Sequence, residues 1–137
     1  MKKLLLEEEE NIDFSVLGIS CHLKDYRLCW EMNQALEVNL EKDEMIFSLD
    51  KKNESGFGTA YFSDEVNHLE LMLINNKNEG GVLISEHPNL DYLLRISGPQ
   101  HELEVSTIKE KLSGISIVLA IVELEPGSLK SIMNLIF

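Results

Sequence analysis

Residues whose types could support chemistry occur in two short stretches of the sequence. In the first, Cys21 precedes His22 directly, which places a thiol next to an imidazole. A catalytic thiol needs a base within hydrogen-bonding reach, but neighbouring side chains on a β-strand point to opposite faces. Residues 13–21 are rich in strand-forming types, so we do not expect this pair to act together. The sequence predicts no catalytic residue.

The second stretch could hold a divalent metal ion. Glu86, His87 and Asp91 lie within six residues, and carboxylate and imidazole groups both ligate such ions. Pro88 and Asn89 between them are typical of a turn, however, where acidic side chains commonly cap backbone groups or face water. We therefore predict no metal site and no cofactor.

Cysteine usage and the chain's amino end indicate a reducing, cytoplasmic location. The two cysteines, Cys21 and Cys29, are separated by seven residues, which matches neither a CxxC redox pair nor a zinc site. We expect both thiols to be reduced, buried and unreactive. The acidic run at residues 7–10 ends the first apolar stretch after three leucines, which is too short for a secretory signal. No stretch approaches the roughly 20 apolar residues that span a bilayer, so no membrane association is expected.

The charge balance excludes one large class of partners. Twenty-four acidic and twelve basic residues give a formal net charge of -12. This field repels phosphate backbones, and the lysines form only short pairs along the chain rather than a basic stripe. The sequence predicts no direct binding to nucleic acid.

The periodicity of apolar residues predicts a single α+β domain over residues 1–137. The order of elements favours an antiparallel or mixed sheet of about five to seven strands, with two main helices on one face. Leucines recur at every second position of residues 68–75, as in a half-buried strand. Residues 117–122 are apolar on both faces, which is typical of a central strand. The predicted strands are residues 13–21, 45–49, 57–62, 68–75, 82–84, 90–97 and 117–122.

The second helix follows the breaker at residues 98–99. Val105, Ile108, Leu112 and Ile115 recur at helical spacing and predict a buried stripe. Gly114 is expected to end the helix in the left-handed conformation.

The first helix, predicted over residues 24–40, has two apolar sides. Leu28, Met32 and Ala35 share one side, whereas Tyr26 and Trp30 lie roughly opposite. Either the domain covers these aromatic residues with its own loops or residues 135–137, or another chain covers them. We favour burial, by the chain itself or within a homo-oligomer. If another chain covers them, Tyr26 and Trp30 are the candidate partner-binding residues.

Residues 84–92, ISEHPNLDY, resemble the signature I-P-E-x-x-x-V-D-Y that names the IPExxxVDY family of small bacterial proteins. Ser85 stands where the signature has proline, and Leu90 stands where it has valine. Residues 22–30 and 134–137 are also similar to family members, so the resemblance runs through most of the chain.

The resemblance implies no chemistry, because the family carries no assigned activity. Glu86, Asp91 and Tyr92 therefore belong to the signature, but the resemblance assigns them no role. The physical interpretation of the segment is a turn into a strand, with Leu90 and Tyr92 on one face and Asp91 on the other. A structural role is expected.

Three classes of function remain. The sequence favours a non-catalytic protein-interaction or adaptor module, which binds a protein partner or associates with itself as a homodimer. The alternative is a regulator that binds a small ligand or a divalent metal, and an enzyme with a scattered site is third. A polar pocket holding Glu86, His87 and Asp91 would favour the last two classes, and an exposed aromatic face would favour the first.

Overall fold

A computed structural model describes residues 14–47, 57–78 and 81–125 of the chain. For residues 43–47, 57 and 78 it describes the backbone only. The short charged leader and the residues after position 125 lie outside this range, as does the predicted turn around residues 50–55.

The described residues form eight strands and two helices. In chain order the elements are β1 (Phe14–Ser20), α1 (Asp25–Leu36), β2 (Glu41–Phe47), β3 (Phe57–Asp64), β4 (Leu69–Asn75), β5 (Lys77–Asn78), β6 (Gly81–Val82), β7 (Tyr92–Ser97), α2 (His101–Ser113) and β8 (Ala120–Leu124). Six antiparallel strands form the main sheet, in the order β2-β3-β4-β7-β1-β8, and β5 and β6 pair as a separate two-stranded ribbon. The predicted α+β class with two helices and an antiparallel sheet is confirmed.

The central strands are apolar on both faces. Leu17 of β1 and Leu94 of β7 pack with the buried residues of both helices, so the helices cover one face. The other face carries Val16, Met72 and Leu93, which cluster with apolar residues from the loop between β6 and β7. Because that loop covers the second face, residues 71–74 are all buried, and the prediction of a half-buried strand is wrong there.

The last described strand is an edge rather than the predicted central strand. β8 pairs with β1 on one side only among the described strands, and Val122 is exposed. No residue of the predicted strand 117–122 is fully buried, so its apolar composition indicated neither burial on both faces nor a central position.

The buried side of helix α2 is the one that the sequence predicted. Its predicted stripe, from Val105 through Leu112 to Ile115, is buried against the sheet. Gly98 begins the turn into the helix at φ 133°, and a Cβ there would clash with the carbonyl oxygen of His68. Only glycine adopts this conformation without strain. Gly114, in contrast, is right-handed at φ -81°, so the predicted left-handed cap is wrong.

Helix α1 ends at Leu36, four residues before the predicted end. Glu37 is left-handed at φ 56°, and its N–H donates to the carbonyl oxygen of Asn33. The Asn33 side chain then bonds both backbone groups of Leu40: Oδ1 accepts from its N–H at 2.7 Å, and Nδ2 donates to its carbonyl at 3.2 Å. This side chain therefore turns the chain directly into β2. No helix among the described residues has the length and apolar character needed to cross a membrane.

Candidate functional site

The aromatic side of α1 is open to solvent. Tyr26 is 71% exposed and Trp30 is 56% exposed, so the described residues do not bury this side, and the predicted cover by residues 135–137 lies outside the described residues. The Arg27 guanidinium lies 5.6 Å from the centre of the Trp30 ring and also pairs with Glu31 at 3.0 Å. The exposed indole therefore has a cation–π contact with a residue of its own helix.

Tyr26 and Trp30 border a cleft of about 340 Å³ between α1 and strands β2, β3 and β4, which we call the aromatic cleft. Its floor consists of the buried apolar residues Leu40, Ala60 and Leu73. Polar and thiol groups complete the lining: Asp25, Cys29, Asn33, Lys42, Thr59 and Asn75. An apolar floor with a few polar groups around it is typical of a recognition pocket.

A hydrogen bond between a helix and a strand forms one wall of the aromatic cleft. Asn75, the last residue of β4, donates from Nδ2 to Asp25 Oδ2 at 3.3 Å. The other Asp25 oxygen accepts from the backbone N–H of Tyr26 at 2.7 Å. Asp25 therefore links the first turn of α1 to the sheet and positions Tyr26 at the cleft's mouth.

A second cleft, also of about 340 Å³, lies on the other side of Asn75. We call it the basic cleft, because His22, Lys24 and Lys77 line it. Lys77 pairs with Asp91, with 3.1 Å between Nζ and Oδ1. Asn75 lines both clefts, so the two adjoin at this residue, and together we call them the groove.

Two of the three signature residues, Asp91 and Tyr92, bond the loop that enters α1. Asp91 Oδ2 accepts from the backbone N–H of Cys21 at 2.9 Å, which holds the loop that enters α1. The Tyr92 hydroxyl donates to the carbonyl oxygen of Leu23 in the same loop. Glu86 is exposed and accepts from the Ser85 hydroxyl at 3.0 Å. The expected shared face of Leu90 and Tyr92 is wrong, because Leu90 precedes β7 and packs on the opposite side of the sheet.

Asn76 organises the loop that contains the signature, and sequence reasoning missed it. This side chain is fully buried, and its Oδ1 accepts from the N–H of Ile84 at 2.8 Å. Its Nδ2 donates to the carbonyl oxygens of His87 and Leu90 at 3.1 and 2.8 Å. In the sequence Asn76 is one of several turn-forming residues in a row, so only its position directly after a long apolar strand could have marked it.

The two cysteines are free and differ in environment. Cys21 is buried, as expected, whereas Cys29 is only half-buried and lines the aromatic cleft. Burial, with a smaller contribution from the negative charge of Asp25, raises the pKa of the Cys29 thiol. A thiol with a raised pKa holds its proton at neutral pH and is a weak nucleophile.

Among the described residues, the groups that the sequence suggested for metal binding are not brought together. Within residues 14–47, 57–78 and 81–125, no group of three His, Cys, Asp or Glu residues is placed to hold a metal ion. Cys21 is buried and His22 is exposed, and both line the basic cleft; they follow the end of β1 at Ser20, so the strand geometry expected for this pair does not apply. The structure does pair Ser15 with His101, with 2.7 Å between Oγ and Nδ1. Neither residue lines a cleft described above, and the bond ties the start of α2 to β1.

Comparison with known proteins adds no assignment: no family model matches the chain, and no curated protein matches it significantly. The IPExxxVDY resemblance therefore stays a prediction based on residues 84–92.

Proposed function

We propose that this protein is a non-catalytic interaction module that binds another protein through the Tyr26/Trp30 side of α1. The observation that carries the proposal is the exposure of both aromatic rings at the mouth of a cleft with an apolar floor. Tyrosine and tryptophan are enriched among residues that dominate binding energy at interfaces. A large aromatic ring held in solvent by an ordered helix gains most when a partner covers it.

The catalytic and metal-binding alternatives have less support. Of the three residues weighed for a metal, only Asp91 lines a cleft, and its oxygens already bond Cys21 N–H and Lys77. We place the protein in the reducing cytoplasm and propose no direct contact with nucleic acid, because the net charge of -12 opposes it.

One observation favours a second function. The aromatic cleft has a volume within the roughly 300–1,000 Å³ typical of small-ligand sites. A small-ligand-binding regulator is therefore the second candidate, with the ligand between α1 and the sheet. A native mass spectrum of the purified protein distinguishes this case, because a retained small molecule adds a defined mass.

The test of the interaction module is capture of partners at low salt by three forms of the chain. These are the wild type, Trp30→Ala and Leu103→Ala. Leu103 is an apolar residue on α2 that is more exposed than Trp30, at 72%, and lines neither cleft. We expect a protein retained by the wild type and by Leu103→Ala but lost with Trp30→Ala. Equal retention by all three forms would contradict the proposed surface.

A further inference from the structure

The groove formed by the two clefts carries the opposite charge bias from the rest of the chain. Three lysines line it, Lys24, Lys42 and Lys77, against two aspartates, Asp25 and Asp91. This lining has a formal charge of +1, whereas the whole chain has -12. The groove is therefore a local exception in a strongly acidic protein.

Internal contacts use the aspartates but leave two of the lysines available. Asp25 accepts hydrogen bonds from Asn75 and from the Tyr26 N–H, and Asp91 accepts from the Cys21 N–H and pairs with Lys77. Lys24 and Lys42 are exposed, and neither forms an ion pair with a described residue. The charge that the groove offers to a ligand is consequently positive.

The apolar and basic features lie side by side. Lys42 lines the aromatic cleft together with Trp30, and Lys24 lines the basic cleft, which meets the aromatic cleft at Asn75. A ligand whose apolar group fills the space above Leu40, Ala60 and Leu73 would place neighbouring groups beside these ammonium groups.

We propose that the groove binds an acidic peptide segment of a partner protein. An aliphatic or aromatic side chain of the segment enters the aromatic cleft against Trp30, and carboxylates next to it pair with Lys24 and Lys42. This assignment rests on the interaction function proposed above and adds the chemistry of the partner. The apolar contact supplies affinity, and the lysines select against basic segments.

A selection from random linear peptides tests the assignment and does not require the partner to be identified first. A phage-displayed library is selected on the wild-type chain and depleted on Trp30→Ala, so that only peptides that need the aromatic cleft survive. We expect the survivors to combine an aliphatic or aromatic residue with two or more acidic residues. Survivors that are neutral or basic, or no survivors at all, would overturn the acidic-peptide assignment.

The most enriched peptide, made synthetically without tryptophan, then measures the lysine contribution. The chain has one tryptophan, so the fluorescence of Trp30 reports binding in the cleft directly. Charge reversal at Lys24→Glu or Lys42→Glu should weaken binding about tenfold, and added salt should reduce that difference. Lys111→Glu is the matched control, because it changes the charge equally on α2 outside both clefts. Equal weakening by all three variants would overturn the assignment of the lysines.

The two proposals fail in different ways. If neutral or basic peptides survive the selection, or if no peptide survives while protein capture still depends on Trp30, the interaction surface stands and only the partner's chemistry is wrong. If neither peptides nor proteins depend on Trp30, the interaction function fails as well.

Discussion

Two neighbouring regions of this molecule use their polar groups in opposite ways. The first region is the loop of residues 81–91. The Asn76 side chain bonds three backbone groups of this loop, and Asp91 accepts from the backbone N–H of Cys21. In the groove beside α1, two lysines have no carboxylate partner among the described residues, and Trp30 is 56% exposed. The first region is bonded internally, whereas the second presents its lysines and its indole to solvent.

This difference separates structural residues from binding residues. The signature-like segment drew attention in the sequence because it resembles a family pattern, yet its ordered contacts hold the loop and the start of α1. The aromatic side of α1 resembles no family signature, and only the helical spacing of Tyr26 and Trp30 marked it in the sequence. Substitutions in the first region should therefore change stability, and substitutions in the second should change binding.

Among substitutions of polar residues, the largest loss of stability is expected for Asn76→Ala. Removing the amide leaves the Leu90 carbonyl and the Ile84 N–H without partners in a buried loop. Each unsatisfied buried group costs about 1–3 kcal/mol, so we expect the free energy of unfolding to fall by about 3 kcal/mol or more. Chemical denaturation measures this change. Asn39→Ala is the control, because Asn39 is exposed and bonds only the Glu41 side chain; an equal loss there would contradict the account.

Asp91→Ala is expected to have the next largest effect. It removes the acceptor for the Cys21 N–H and the partner of Lys77, and hydrogen bonds to charged groups contribute about 1.5–3 kcal/mol. The exposed signature residue Glu86 should tolerate Glu86→Ala within about 0.5 kcal/mol. Equal destabilisation by both substitutions in urea would show that the signature acts as a unit rather than through Asp91.

Tyr92→Phe should cost about 1 kcal/mol at neutral pH, because the Leu23 carbonyl loses its donor. Burial, with smaller contributions from the negative charges of Cys21, Asp25 and Asp91, raises the pKa of Tyr92 to about 12. An unfolded tyrosine ionises near 10, so the native state holds its proton longer and loses stability as the pH rises from about 10 to 12.

Urea unfolding at several alkaline pH values checks this titration. The loss of stability above pH 10 should be smaller in Tyr92→Phe than in the wild type. Identical pH profiles for the two proteins would contradict the burial of this phenol.

The smallest effect on stability is expected at the aromatic side of α1. Trp30→Ala should change the free energy of unfolding by less than about 1 kcal/mol, because the ring is mostly in water. Leu28→Ala, two residues earlier on the buried side of the same helix, should cost about 2–5 kcal/mol. Similar losses for the two variants in thermal unfolding would show that Trp30 is core.

The sequence predicted features that depend on local periodicity. The stripe that includes Val105 and Leu112 was confirmed because a helix repeats its burial every three to four residues. The helical wheel likewise separated Tyr26 and Trp30 from Leu28 and Met32.

Features that depend on distant contacts could not be predicted. The end of α1 depends on Asn33 bonding Leu40, and the edge position of β8 depends on which strands pair. The groove also escaped prediction, because the predicted strand began at residue 45 and did not include Lys42. In the structure β2 begins at Glu41, and Lys42 lines the aromatic cleft together with Trp30.

The most direct test of the central claim is acrylamide quenching of Trp30, the single tryptophan, in the dilute free chain. The claim is that no part of the chain covers this ring before a partner binds. We predict a quenching constant close to that of the same chain unfolded in guanidinium, with red-shifted emission in both states. Weak quenching and blue-shifted emission in the native chain, unchanged on further dilution, would show that the chain buries Trp30 and would contradict the account.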